Sequence, residues 1–83
     1  MGGTFSYEIT EHIATQSEYE SQNALYTTEI NRVAFSGNQP KIDIRKWKHG
    51  SDGSTQLLKG IALSDDEVKV LAAALHEITR KDA

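Results

Sequence analysis

The spacing of the apolar residues changes once along this 83-residue chain, at Ser64. Before Ser64, apolar and polar residues alternate in several segments, and this is the period of a strand with one buried face. After Ser64 the apolar residues are spaced by three, four and three positions, which is the period of a helix. The sequence therefore predicts an α+β fold in which the strands come first and a single helix comes last.

Four segments have the composition of strands, and residues typical of turns separate them. Residues 5–13 alternate, and the polar residues 15–23 predict an exposed turn or loop after them. The other predicted strands are 25–35, 41–48 and 57–63, with turns at 36–40 and 49–54. An antiparallel sheet over residues 5–63 is therefore expected, in the order β-β-β-β-α.

The helix is predicted over residues 65–81 because its start has a capping sequence. Ser64 and Glu67 have the spacing of a capping box, in which each side chain bonds to the backbone N–H of the other residue. Asp65 and Asp66 add negative charge at the positive end of the helix dipole.

The chain is short enough to form one domain, residues 1–83, and it has no Cys for disulfides. A domain of this size buries only about 60–65% of the surface that its unfolded chain exposes, so association is the expected source of added stability. The apolar stripe of the helix is narrow, which suits pairing of helices in a homodimer; the alternative is that the stripe covers its own sheet. The predicted interface consists of Val68, Leu71, Leu75 and Ile78.

Charge is unevenly distributed, although the net charge is only −3. Residues 1–30 contain five acidic residues and no Lys or Arg, whereas residues 31–60 contain six basic residues and two acidic ones. Binding depends on the local potential within a Debye length of about 8–10 Å. The middle third could therefore attract a polyanion.

The third predicted strand places the only Trp of the chain beside basic residues. Alternation puts Ile42 and Ile44 on one face, and it puts Lys41, Asp43, Arg45 and Trp47 on the other. We expect Trp47 to be exposed, since burying it would also bury the charged residues of its face. An exposed aromatic ring beside cations is typical of surfaces that bind single-stranded nucleic acids.

No pattern indicates an enzyme, a cofactor or a metal site. The three His residues have no close ligand spacing among themselves, and no nucleophile–base or glycine-rich phosphate signature stands out. The acidic residues after Ser64 are explained by the helix start. No leader or membrane-spanning segment is evident, so a cytoplasmic location is expected.

Three segments, taken in order, resemble the bacterial YdbC-type homologues of the eukaryotic transcriptional positive cofactor four. They are N-R-V-A-F at 31–35, P-K-I-D-I-R-K-W at 40–47 and L-K-G-I-A-L-S at 58–64, the last just before an acidic helix start. The resemblance covers about residues 5–80. It implies a curved four-stranded antiparallel sheet followed by a helix, a homodimer formed partly through the helices, and binding of single-stranded DNA on the sheets.

The resemblance also implies roles for individual residues. Arg45 matches the binding Arg of the family, Trp47 and Phe35 match stacking aromatics, and Lys59 matches a basic residue of the fourth strand. Lys41 and Asn31 match by position. The family has a basic residue where this chain has Val33, and Arg32 lies one step away on the opposite face. Arg32 could thus contact a phosphate, form an ion pair at the rim or lie at the dimer contact.

We expect a non-enzymatic homodimer that binds single-stranded DNA with little sequence preference. The resemblance implies a role in transcription regulation, replication or repair at the bacterial nucleoid, with no cofactor, small-molecule substrate or membrane partner. The eukaryotic members have a regulatory tail that this sequence lacks, and their Trp lies one residue farther from the Arg, so coactivator behaviour does not carry over. The alternatives are a protein–protein adaptor that uses the exposed Trp and a binder of single-stranded RNA.

Overall fold

The computed structural model describes residues 6–82 and shows one four-stranded antiparallel sheet followed by one helix. The elements are β1 (Tyr7–Glu20), β2 (Ala24–Phe35), β3 (Lys41–Gly50), β4 (Thr55–Leu63) and α1 (Asp65–Asp82). Each strand pairs with the next one along the chain. The predicted order β-β-β-β-α is confirmed, while Phe5, which was placed in the first predicted strand, lies outside the described residues.

Strand β1 is longer than predicted. Residues 15–20 are exposed, as predicted, but they belong to the strand and not to a loop. The pairing of β1 with β2 shifts at three points, so that Thr10, Ile13 and Gln16 are extra residues in β1. Each extra residue reverses the alternation of side chains between the two faces. The period of a strand is therefore lost from the sequence of β1, although the strand itself continues.

The sheet curls strongly along the direction of its strands. Tyr7 pairs with Phe35 and Trp47 pairs with Thr27, so their partners lie eight positions apart on β2. Eight residues of straight strand would span about 26 Å. The Tyr7 and Trp47 rings nevertheless lie 5.5 Å apart, centroid to centroid. Bulges bend strands, and the three in β1 fit this curvature.

The curl creates an inner face, which includes Tyr7 and Trp47, and an outer face. Almost all of the buried residues of the sheet lie on the inner face: Thr27, Asn31, Val33, Asp43 and Trp47. The outer face carries the half-buried residues Ile30, Ile42 and Ile44, together with Arg32, Lys46 and Lys48. The curled sheet thus buries the side chains of its inner face against one another.

Helix α1 begins with the predicted capping box. The backbone N–H of Ser64 donates to Glu67 Oε1 at 2.8 Å, and the backbone N–H of Glu67 donates to Ser64 Oγ at 3.2 Å. Hydrogen bonds from Ser64, more than the charge of Lys41, hold the pKa of the Glu67 carboxyl below its ordinary value. The helix then contacts β3 and β4.

Candidate nucleic-acid interface

Trp47 is buried, so the prediction that its ring is exposed is wrong. Only 1% of the residue is accessible, and the Tyr7 ring packs against it. The indole N–H donates to no acceptor among the described residues, and packing therefore holds the ring. In this conformation Trp47 has no open face on which a base could stack.

Asp43 and Arg45 also lie on the inner face, and their ion pair explains why burial is tolerated. Arg45 Nε donates to Asp43 Oδ2 at 2.6 Å, and Arg45 Nη2 donates to Asp43 Oδ1 at 2.7 Å. A third bond runs from Nη1 to the carbonyl of Leu58 at 3.0 Å. The hydrogen bonds to Asp43 outweigh partial burial and raise the pKa of Arg45. Burial of these two charges is tolerated because they form a two-bond ion pair and Arg45 also donates to a backbone carbonyl.

Gly60 fixes the position of Arg45 against β4. The two residues are partners across the strands, and a Cβ at position 60 would lie 1.9 Å from the Cβ of Arg45. Only a residue without a side chain fits there. The close approach brings the Arg45 side chain to the edge formed by β4, one residue from Lys59.

Arg45 lies against the Phe35 ring, and it lines a surface depression together with Lys59. The guanidinium carbon of Arg45 lies 5.3 Å from the centre of the half-buried Phe35 ring. Arg45 and the exposed Lys59 line one shallow depression of about 570 Å³, with Ile44, Leu58 and Ile61 around them. The guanidinium has five N–H donors, and its bonds to Asp43 and Leu58 use three. Two donors therefore have no acceptor among the described residues, and 13% of the Arg45 side chain is exposed.

Lys41 is exposed at the start of β3, close to the beginning of α1. Its charge contributes to the lowered pKa of Glu67, so Glu67 partly compensates it. Lys41 is therefore a weaker candidate for a phosphate contact than Lys59.

Asn31 belongs to a buried polar network and is not accessible to a ligand. Its Oδ1 lies 2.6 Å from His12 Nδ1, and its Nδ2 donates to Glu29 Oε1 at 3.2 Å. Glu29 Oε2 accepts from Thr27 at 2.5 Å and lies 3.2 Å from His49 Nε2. Burial by itself would raise the pKa of Glu29, but the hydrogen bonds and the charge of His49 lower it below its ordinary value. This network ties β1, β2 and β3 together across the inner face.

Arg32 lies on the outer face and forms a rim ion pair, one of the three roles that the sequence left open. Its Nε lies 3.3 Å from Glu11 Oε1, and both side chains are substantially exposed. Exposed pairs of this kind contribute little to stability.

The predicted dimer residues differ in exposure. Val68 and Leu71 are half-buried, whereas Leu75 and Ile78 are 50% and 56% exposed. The C-terminal half of the stripe is thus uncovered in the single chain.

The sequence analysis assigned no role to the outer face near the start of β2. Tyr19, Tyr26 and Lys46 line a groove there, and Lys48 pairs with Tyr26. The spacing of Lys46 and Lys48 in β3 indicates that both lie on the outer face. Tyr19, however, falls in the segment that was predicted to be a loop, so its position beside them could not be predicted.

Neither a scan against models of protein families nor a search of curated proteins finds a match to this chain. The resemblance to the positive cofactor four family therefore stays a prediction. Among residues 6–82, no three His, Cys, Asp or Glu side chains are grouped so that they could hold a metal ion. No helix in the same range has the length and apolar content that crossing a membrane requires.

Proposed function

We propose that this protein binds single-stranded DNA, without catalysis and with little sequence preference, at the depression that contains Arg45 and Lys59. The single observation that carries the proposal is the position of Arg45, which lines this depression together with Lys59 and whose guanidinium lies against the Phe35 ring. Cations pair with phosphates and aromatic rings stack on bases, and both interactions tolerate any base.

The preference for a single strand follows from the chemistry of this site. A ring such as Phe35 can stack only on a base that is unpaired. The depression offers few cations, and the chain as a whole is acidic, so phosphate attraction alone would hold a duplex weakly.

Fluorescence anisotropy of labelled oligo-dT, oligo-rU and a duplex of equal length tests the proposal. We expect oligo-dT to bind much more tightly than the duplex. Lys59→Ala should weaken binding and reduce the slope of log affinity against log salt by about 0.7. Lys69→Ala, which removes an exposed lysine from the helix, is the matched control and should change neither.

Other outcomes would redirect the proposal. Tighter binding of oligo-rU than oligo-dT would make RNA the ligand. A wild-type protein that binds none of the three probes would refute the function and favour a protein adaptor.

The proposed setting follows from the family resemblance. We place the protein in the bacterial cytoplasm at the nucleoid, in transcription regulation, replication or repair. These processes all expose single strands.

We also propose that the protein is a homodimer joined through α1. Leu75 and Ile78 lie on the predicted stripe and are half exposed in the single chain, as Ile61 of β4 is. Burying one Leu contributes on the order of 1.5–3 kcal/mol, and a symmetric contact buries it twice.

Sedimentation at micromolar concentration tests the dimer. Leu75→Glu should yield a folded monomer, because it places a charge in the contact. Val70→Glu is the control: Val70 is 71% exposed and lies about 120° away from the stripe around the helix. A wild-type monomer would refute the dimer without affecting the binding proposal.

A further inference from the structure

Two tyrosines form an exposed pair on the outer face. Tyr19 of β1 and Tyr26 of β2 are direct partners across the strands, and their rings lie 6.3 Å apart at an angle of 39°. Tyr19 is 68% exposed, and no stretch of the described chain covers it. An exposed aromatic pair at this spacing offers ring faces to a planar ligand.

Lysines stand beside the pair. Lys48 is the partner of Tyr26, and Lys46 is the partner of Thr28, one row farther along the sheet. Tyr19, Tyr26, Thr28 and Lys46 line one groove of about 540 Å³. The groove thus combines aromatic rings with at least one free cation, since no ion pair of Lys46 occurs among residues 6–82.

The nearby acidic residues of β1 lie on the other face. Glu18 and Glu20 pair with Thr27 and Leu25, whereas Tyr19 between them pairs with Tyr26. Asp52, in the turn between β3 and β4, is an acidic residue that does interact with a lysine beside the groove. Hydrogen bonds from Ser54 lower its pKa most, and the charge of Lys48 adds to the effect. Lys48 is therefore partly compensated, and Lys46 is the stronger candidate for binding an anion.

Lys46 lies between this groove, which it lines, and two residues of the depression, Leu58 and Lys59. The pairing of β3 with β4 shifts between Arg45 and Trp47, so Lys46 faces Leu58 and Lys59 together. A strip from Tyr19 to Lys59 therefore crosses all four strands, a width of about 14 Å at normal strand spacing. One extended chain could contact both ends of this strip.

We infer that Tyr19 and Tyr26 form a second base-stacking subsite, which binds the same single strand as Arg45 and Lys59, with Lys46 pairing with a phosphate between them. The inference rests on the proposed function. A single-stranded nucleic acid fits the strip because stacked bases need ring faces and the phosphates between them need cations. A protein partner would be expected to need a broader apolar surface than two rings.

The experiment compares oligo-dT of about 4 and about 16 nucleotides, the range of site sizes known for single-strand surfaces. Tyr19→Ala and Tyr26→Ala should each weaken binding of the long oligonucleotide roughly five- to a hundredfold, the range expected for one lost stack. Binding of the short oligonucleotide should change less, because Arg45 and Lys59 can hold it alone. Tyr19→Phe, which keeps the ring, should bind like the wild type.

The exposed position of Tyr19 keeps the test valid even where Tyr26→Ala fails to fold. Unchanged affinity of Tyr19→Ala for the long oligonucleotide, with Lys59→Ala weakened, would overturn the subsite and leave the proposed function standing. Equal losses for the short and long oligonucleotides would also overturn it, since they would place the tyrosines in the primary site. Absence of binding by the wild type would overturn both proposals.

Discussion

Gly60→Ala tests the close contact between β3 and β4 on which the Arg45 site depends. The added Cβ would lie 1.9 Å from the Cβ and 2.7 Å from the Cα of Arg45, and 2.6 Å from the carbonyl oxygen of Ile44. Carbon atoms in contact are normally about 3.5–4.0 Å apart. These neighbours are backbone atoms or a Cβ, so no side-chain rotation relieves the clash. The strands must instead separate by more than about 1 Å.

Overpacking typically costs about 1–3 kcal/mol, and we expect Gly60→Ala at the upper end of that range. Urea unfolding, followed by the emission of the buried Trp47 at one protein concentration, measures the change. Gly53→Ala is the control, because Gly53 has a φ of +87° and nothing within 4 Å of its Cβ position. Its cost should be about 1–2 kcal/mol, from the left-handed backbone alone. Stability of Gly60→Ala within about 0.5 kcal/mol of the wild type would refute the contact.

Three further predictions concern the inner face. Asp43→Ala should destabilise the fold by about 3–5 kcal/mol because it leaves the Arg45 charge without its partner, and urea unfolding should show a smaller loss when Arg45→Met is added. Glu29 has a lowered pKa in the folded state, so its contribution to stability is present above its unfolded pKa of about 4.3 and is lost as the pH falls through the folded value. Unfolding midpoints between about pH 3 and 6 should therefore depend less on pH in Glu29→Gln than in the wild type, and equal slopes would contradict this role. Saturating oligo-dT should leave the emission of Trp47 nearly unchanged, whereas strong quenching would mean that the ring becomes exposed on binding.

The fold was largely predictable because its signals are local. The spacing of Val68, Leu71, Leu75 and Ile78 follows directly from the period of a helix, and the structure contains the capping box of Ser64 and Glu67. Alternation in β3 correctly placed Asp43, Arg45 and Trp47 on one face.

The burial of that face was not predictable, because it depends on curvature. Trp47 is covered by Tyr7, which reaches it only because the sheet curls. The bulges at Thr10, Ile13 and Gln16 hide the length of β1 in the sequence, since each interrupts the alternation. The sequence does not show this curvature, and without it Tyr7 would lie far from Trp47, so an exposed Trp is the natural expectation.

The tyrosine pair was missed for the same reason. Tyr19 and Tyr26 become neighbours only when β1 continues to Glu20 and the pairing with β2 is known. The position of Lys46 opposite Lys59 likewise depends on the shift in pairing between β3 and β4. Local propensity does not specify such non-local pairings.

The central claim is that a single strand of nucleic acid binds at the depression that contains Arg45 and Lys59 and along the outer face, and that no base stacks on Trp47. A titration of ¹⁵N-labelled protein with oligo-dT, followed by amide and indole N–H chemical shifts, tests it most directly. We expect the largest shifts at Arg45, Lys46 and Lys59, smaller ones at Tyr26, and almost none at the single indole resonance of Trp47. A large shift of the indole with the strip unaffected, or no shift anywhere in excess oligonucleotide, would contradict the claim.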